Sequence, residues 1–134
     1  MTGRRVLGIG FDPHTIDFNS DFFRGKPLNA EVIAGGIKAD EARIRGMGHD
    51  FEWLLINARG GAKAASAAVR AALAARPVDV VVIGGGVRLD PAQTLVLEAL
   101  VNAVIDAAPR AKVAFNTSPA DTAEAIGRVS GVES

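Results

Sequence analysis

The residues best suited to chemistry lie just beyond the first apolar run of the chain. Asp12, Pro13 and His14 follow Val6–Gly10, and His14 is one of two histidines. A histidine titrates near neutral pH and can act as an acid, a base or a metal ligand. A neighbouring carboxylate can orient its imidazole, so we predict that His14 and Asp12 form a catalytic pair. In the alternative interpretation, Asp12 caps a turn before Pro13 and His14 hydrogen-bonds its own loop.

Three consecutive glycines, Gly84, Gly85 and Gly86, follow the most continuously apolar run, Val80–Ile83. Glycine permits positive φ and a close approach of the backbone to a ligand, which suits a phosphate or another anion. Arg88 adds a fixed positive charge. The segment matches neither the Walker A motif nor the GxGxxG fingerprint, and a plain tight turn is the structural alternative.

Polar residues follow the other apolar runs as well. Arg59 precedes a glycine pair and a helical pattern, an arrangement that recurs in anion sites. Polar loops at one sheet edge are also typical of surfaces without a ligand. No metal site is predicted, and no residue pattern identifies a cofactor. The predicted ligand-binding residues are Thr15, Asp17, Asn57, Arg59, Gly84, Gly85, Gly86, Arg88 and Asn116.

The elements that position these residues alternate between strand and helix. Strict alternation predicts parallel strands with helices on both sheet faces. We expect residues 1–134 to form one α/β domain, a three-layer sandwich with a four-stranded parallel sheet in the order 2-1-3-4. The predicted strands are Val6–Gly10, Phe51–Ile56, Val78–Ile83 and Lys112–Phe115. The predicted helices are Leu28–Met47, Ala62–Ala75, Pro91–Ala108 and a last helix from Ser118 to about Val129.

The first predicted helix has Asn29 as its N-cap and an apolar stripe formed by Ile33, Ile37, Ile44 and Met47. Its Gly35–Gly36 pair costs about 1 kcal/mol per glycine relative to alanine. Close packing against a neighbouring backbone is the compensation that we expect.

The connection before this helix carries three of the six phenylalanines. Phe18, Phe22 and Phe23 are predicted to pin the loop against the first helix; a lid or a partner surface is the alternative. The second histidine, His49, precedes a strand and is therefore expected at the opposite sheet edge. The segment Gly131–Ser134 is predicted to be a frayed tail.

Composition excludes several classes of function. Fifteen basic and fifteen acidic residues cancel, which argues against nucleic acid or an anionic membrane as the partner. The absence of cysteine excludes disulfides and thiolate chemistry. No apolar run approaches the roughly 20 residues that span a bilayer, and no signal-peptide pattern opens the chain. We predict a cytoplasmic protein.

The layout resembles flavodoxin-like and receiver domains at the level of topology. A receiver would carry a phosphoacceptor aspartate where this chain has Gly84–Gly86, so the resemblance does not imply a phospho-switch. Asp12-Pro13-His14 also resembles the start of the Asp-x-His-x-x-Gly motif of cobalamin-binding domains, which implies His14 as a cobalt ligand. Asp17 replaces the glycine of that motif, and no Ser-x-Leu follows the third strand.

Two functions remain open from the sequence. In the first, a small anionic ligand binds in the crevice between strands one and three, where the strand order reverses, and His14 and Asp12 supply acid–base chemistry. In the second, the chain is a non-enzymatic homodimeric module with a degenerate receiver-like fold. The helix Pro91–Ala108 favours this alternative, because its apolar residues cover more of its circumference than one sheet face needs.

Overall fold

Four parallel strands form one sheet in the order β2-β1-β3-β4 in the computed structural model, which describes residues 3–118 and 121–130. This confirms the predicted α/β fold and strand order. The strands are β1 (Arg5–Phe11), β2 (Asp50–Ile56), β3 (Val80–Ile83) and β4 (Lys112–Phe115). The helices are α1 (Ala30–Gly46), α2 (Gly61–Ala75), α3 (Gly85–Arg88), α4 (Thr94–Ala107) and α5 (Thr122–Ser130).

The two faces of the sheet are packed differently. Successive strand residues point to opposite faces, so β1 directs Leu7, Ile9 and Phe11 towards α2 and α4, where the larger core cluster forms. Towards α1 and α5, β1 presents Val6 and then two glycines, Gly8 and Gly10. The α1–α5 side therefore has a smaller core and leaves space above the carboxyl half of β1.

Helix α1 spans this space and packs tightly only towards its end. Ile44 is fully buried, whereas Ile33 and Ile37 are half-buried and Met47 is exposed. The interpretation of Gly35–Gly36 as a close-packing site is wrong, because a Cβ at either position would meet no heavy atom within 4 Å. These glycines face open space.

Side-chain caps define several boundaries. Asn29 Oδ1 accepts a hydrogen bond from the Val32 N–H at 2.8 Å, which confirms the predicted N-cap. Asp90 caps the 3-10 turn Pro91–Gln93, so α4 begins at Thr94 rather than at Pro91. Before α5, the Asp121 carboxylate accepts from the N–H groups of Thr117 and Ser118. The predicted start at Pro119 and Ala120 and the predicted tail Gly131–Ser134 lie outside the described residues.

Within residues 3–118 and 121–130, no helix combines the length and the apolar character needed to cross a membrane.

Candidate functional site

The predicted site residues fall into two groups at the carboxyl edge of the sheet, and Thr15 holds the first group together. Its hydroxyl donates to the main-chain oxygen of Asp12 at 2.7 Å and accepts from the Ala58 N–H at 2.8 Å. Its main-chain oxygen accepts from Arg59 Nε at 2.8 Å, and Asn57 Oδ1 accepts from the Arg59 N–H. These residues form a hydrogen-bonded loop pair after β1 and β2.

The carboxylate of Asp12 bonds the backbone rather than the imidazole. Its Oδ1 accepts from the main-chain N–H of His14 at 3.0 Å and caps the 3-10 turn Pro13–Thr15. The His14 side chain is exposed and lines neither cavity of the sheet edge described below. Asp12 thus caps a turn, as in the alternative to the catalytic pair that the sequence left open.

The second group follows β3 and β4. Gly84 is the N-cap residue of the single-turn helix α3, and its N–H donates to the main-chain oxygen of Ile9 at 2.9 Å. Arg88 Nη2 donates to the main-chain oxygen of Asn116, and the guanidinium lies 5.0 Å from the centre of the Phe115 ring. The positive charge expected to hold an anion is thus engaged with a carbonyl and an aromatic face.

A cavity of about 450 Å³ opens at this edge, on the α1–α5 side of the sheet. Gly10 and Trp53 contribute its floor, and the first half of α1 contributes one wall. Residues 84–87 contribute the opposite wall, and residues 116–118 contribute the far end. The cavity therefore includes the predicted residues Gly84, Gly85, Gly86 and Asn116.

Topology and composition together explain why this space is open. The chain leaves β1 towards α1 on one face and leaves β3 towards α4 on the other, so a crevice forms where the strand order reverses. Five glycines then line the crevice, and none of them has a side chain to fill it: Gly10, Gly36, Gly84, Gly85 and Gly86.

The loop between β1 and α1 that carries Phe18, Phe22 and Phe23, here called the phenylalanine loop, closes one side of the cavity. Phe23 is buried and stands edge-on to both Phe18 and Phe22, with ring centres 5.3 and 5.0 Å apart. Phe22 and Phe23 both line the cavity, as does Leu28 just before α1. The aromatic rings pack on one another and hold the loop as a wall.

A polar cluster interrupts the apolar lining. Thr122 donates its hydroxyl proton to Asp40 Oδ2 at 2.5 Å and accepts from Asn116 Nδ2 at 3.2 Å. All three residues are buried, and Asp40 and Asn116 line the cavity. One hydroxyl thus joins α1, α5 and the end of β4 at the cavity wall.

Burial raises the pKa of the Asp40 carboxyl above its ordinary value of 3.8. The Thr122 hydrogen bond and the charge of Arg43 oppose this effect, while Asp121 and Glu124 add to it. Desolvation disfavours the charged form of a carboxyl group. The cavity therefore contains a carboxyl group whose protonation is easier than that of an exposed aspartate.

Three buried side-chain atoms have no hydrogen-bond partner in the described part of the chain: Trp53 Nε1, Arg88 Nε and Asn116 Oδ1. Buried polar atoms are nearly always paired in native proteins, and each exception calls for an explanation. Two of the three residues, Trp53 and Asn116, belong to the lining of the cavity.

A second, smaller cavity of about 200 Å³ lies on the other side of the phenylalanine loop. Phe11, Ile16 and Phe23 line both cavities and separate them. The predicted residues Asp17 and Arg59 line the smaller cavity. The two cavities thus contain six of the nine predicted ligand-binding residues between them, whereas Thr15, Asn57 and Arg88 line neither.

Sequence reasoning missed Asp40, Trp53 and Thr122. A signal for Asp40 exists in the pattern: it occupies the stripe of Ile37 and Ile44, at spacings of three and four residues. A carboxylate at a buried position of an amphipathic helix is rare and needs a partner. Trp53 faces the same side of the sheet as Gly8 and Gly10, since Gly8 is its register partner.

Within residues 3–118 and 121–130, no group of three or more histidine and acidic side chains converges as a metal ion would require. Comparisons with protein-family models, with curated proteins and with solved structures found nothing that matches this chain. A fold of this kind does not by itself determine function, which depends on the geometry and chemistry of the site.

Proposed function

We propose that the protein binds a small organic molecule in the large cavity at the carboxyl edge of the sheet. Ligand pockets are mostly apolar, have volumes of roughly 300–1,000 Å³ and carry a few polar groups that fix orientation. The observation that carries the proposal is a cavity of about 450 Å³ lined by two residues with buried, unpaired polar atoms, Trp53 and Asn116.

The surroundings of the cavity favour a ligand with an apolar body. Val32 and Leu89 line it and are 52% and 58% exposed. A bound molecule that covered them would gain about 25 cal/mol for each Å² of apolar surface removed from water.

The anionic ligand and the acid–base chemistry predicted from the sequence have less support. Arg59 and Arg88 both donate to main-chain carbonyls. Asp12 accepts from a backbone N–H, and His14 is exposed. Catalysis by His14 and Asp12, cobalamin binding and the cytoplasmic location stay predictions.

Trp53 makes the proposal testable with unselected compounds. It is the single tryptophan of a chain without tyrosine, so intrinsic fluorescence reports directly on the cavity lining. A library of small molecules of mixed charge can be screened by Trp53 emission and by thermal shift, because a ligand that binds the folded state stabilises it.

Gly36→Leu and Gly35→Leu form a matched pair for this screen. Both positions lie in α1 with open space around the Cβ, but of the two glycines it is Gly36 that lines the cavity. Both variants should fold, because glycine in a helix costs about 1 kcal/mol relative to alanine. Gly36→Leu should lose the binding that Gly35→Leu retains. Equal binding by the two variants, or no binding by any compound, would contradict the proposal.

The second candidate, self-association through α4, is favoured by one observation. Leu95 and Ile105 are 68% and 55% exposed on this helix, while Leu97 and Val101 pack against the protomer's own core. A Leu95→Lys, Ile105→Lys double variant should therefore weaken a dimer without loss of the fold. Sedimentation of the wild type as a monomer at micromolar concentration would exclude this candidate.

A further inference from the structure

We propose that the large cavity takes a molecule with an apolar body and a protonated amine, and that the amine binds beside Asp40 and Asn116. This inference rests on the proposed function, since it specifies the chemistry of the ligand for the same cavity. It follows from the hydrogen-bonding directions of the polar cluster and from the charges around it.

The polar cluster offers acceptors to a ligand. Thr122 has one hydroxyl proton, which it donates to Asp40, so its oxygen can only accept from Asn116. The Asn116 amide is therefore oriented with its Nδ2 towards Thr122. Asn116 Oδ1 is left buried and without a partner in the described residues. Asn116 and Asp40 thus give this end of the cavity lining the character of an acceptor, which suits a ligand group that donates protons.

The charges around Asp40 favour a cation. Arg43, on the same helix, is the cation that acts on Asp40, and its Nη2 also bonds Glu124 at 2.8 Å. Asp121 and Glu124 face Asp40 from the α5 side and disfavour its ionised form. Burial has the largest effect in the same direction. A buried carboxylate is stabilised by a paired, hydrogen-bonded cation, and an ammonium group in the cavity would provide one.

Two cations would favour the opposite ligand. Arg88 bonds the main-chain oxygen of Asn116 and lies over the Phe115 ring, but it is not part of the cavity lining, whereas Lys26 is. Its ammonium donates to the Phe22 main-chain oxygen and lies 4.0 Å from the centre of the Phe22 ring. Lys26 is exposed, whereas Asp40 is 7% exposed. Water and salt screen an exposed charge more strongly than a buried one, so Asp40 has the greater influence on the ligand.

Three probes of similar shape test the charge preference: 2-phenylethylamine, 2-phenylethanol and 3-phenylpropanoic acid. Trp53 emission and calorimetry at neutral pH should show the amine binding roughly tenfold or more tightly than the alcohol, with the acid weakest. Equal binding of amine and alcohol, or a preference for the acid, would overturn the inference and leave the proposed function intact. Binding of none of the three would also overturn it, and the Gly36→Leu comparison would then decide the proposed function separately.

Asp40→Asn identifies the residue responsible. The amide oxygen of asparagine can still accept from Thr122, so the fold should persist. Affinity for the amine should fall roughly tenfold or more, while affinity for the alcohol should not change. Glu41→Gln, the next residue of α1 and not part of the cavity lining, should bind both probes like the wild type. Unchanged amine affinity in Asp40→Asn would overturn the inference.

Proton linkage gives an independent readout. Amine affinity for the wild type should rise with pH as Asp40 ionises, and binding should release a proton in the range where free Asp40 is protonated. Calorimetry in two buffers of different ionisation enthalpy measures this release. Asp40→Asn should abolish it, and a release that persists in this variant would contradict the role of Asp40.

Discussion

The indole ring of Trp53 lies so close to Gly8 that a Cβ at position 8 would come within 2.7 Å of the ring. The two residues are direct register partners on β1 and β2. Phe51 stands edge-on to the indole, with ring centres 5.2 Å apart, and its ring would lie 2.9 Å from the same Cβ. The missing side chain of Gly8 therefore allows Trp53 to cover the sheet beside the cavity.

Gly8→Ala should destabilise the protein because both aromatic rings would have to shift. Overpacking of this kind costs about 1–3 kcal/mol, and the displaced indole should change the emission spectrum. Urea denaturation followed by fluorescence and circular dichroism measures both effects. Gly10→Ala is the control, since a Cβ there would have ordinary contacts at 3.7 and 3.9 Å. Equal stability of the two variants would contradict the packing described for Trp53.

The strand order could be predicted because each local pattern agrees with the same topology. The continuously apolar β3 is buried at all of its residues, as a central parallel strand is. The polar or glycine-rich ends of the strands share one sheet edge, and residues 84–86 and Asn116 line the large cavity there. Strand ends and helix caps depend on residues that are close together in the sequence. A local sequence pattern can therefore predict them.

The cavity itself could not be predicted in the same way. Thr122 and Asp40 are 82 residues apart, and their contact depends on how α5 packs beside α1, which no local pattern determines. A glycine inside a helix normally indicates close packing against a neighbouring backbone, yet Gly36 faces open space. His14 has the chemistry of a catalytic residue but lies exposed on a turn. Residue type and loop position do not determine where a side chain points.

Asp40→Asn should make the free protein more stable at neutral pH. The pKa of Asp40 is raised in the folded state, so the folded protein binds protons more readily here than the unfolded chain does. The Asp40 contribution is therefore most favourable at low pH and worsens as pH rises through the folded pKa. Paired melting curves of the wild type and Asp40→Asn should converge below pH 3.8, the ordinary value, and diverge towards neutrality. A variant less stable than the wild type at pH 7 would contradict the burial effect.

His14→Ala and Asp12→Ala should differ in stability. His14 is exposed, so its loss should change the free energy of unfolding by no more than about 0.5 kcal/mol. Asp12 caps the turn Pro13–Thr15, and loss of such a cap costs about 1 kcal/mol. Chemical denaturation measures both. Ligands found with Trp53 should bind His14→Ala normally; lost binding with an intact fold would instead restore the acid–base interpretation of His14.

His49 should make the protein sensitive to mild acid. It is buried at the opposite end of β2, as its position before the strand predicts, and its Nδ1 accepts from the Arg4 N–H at 3.0 Å. Burial lowers the pKa of His49, and the charge of Arg4 lowers it further. Protonation would place a proton on the accepting nitrogen and break this bond.

The sign of the pH effect follows from the lowered pKa. The unfolded chain takes up a proton at His49 near the ordinary value of 6.5, before the folded protein does. The stabilisation is therefore fully present above pH 6.5 and is lost as pH falls towards the folded pKa. His49→Gln, which can still accept from Arg4, should lose less stability than the wild type between pH 7 and 5 in parallel urea titrations. His14→Ala controls for the loss of a histidine, and identical pH profiles for the wild type and His49→Gln would contradict the role given to His49.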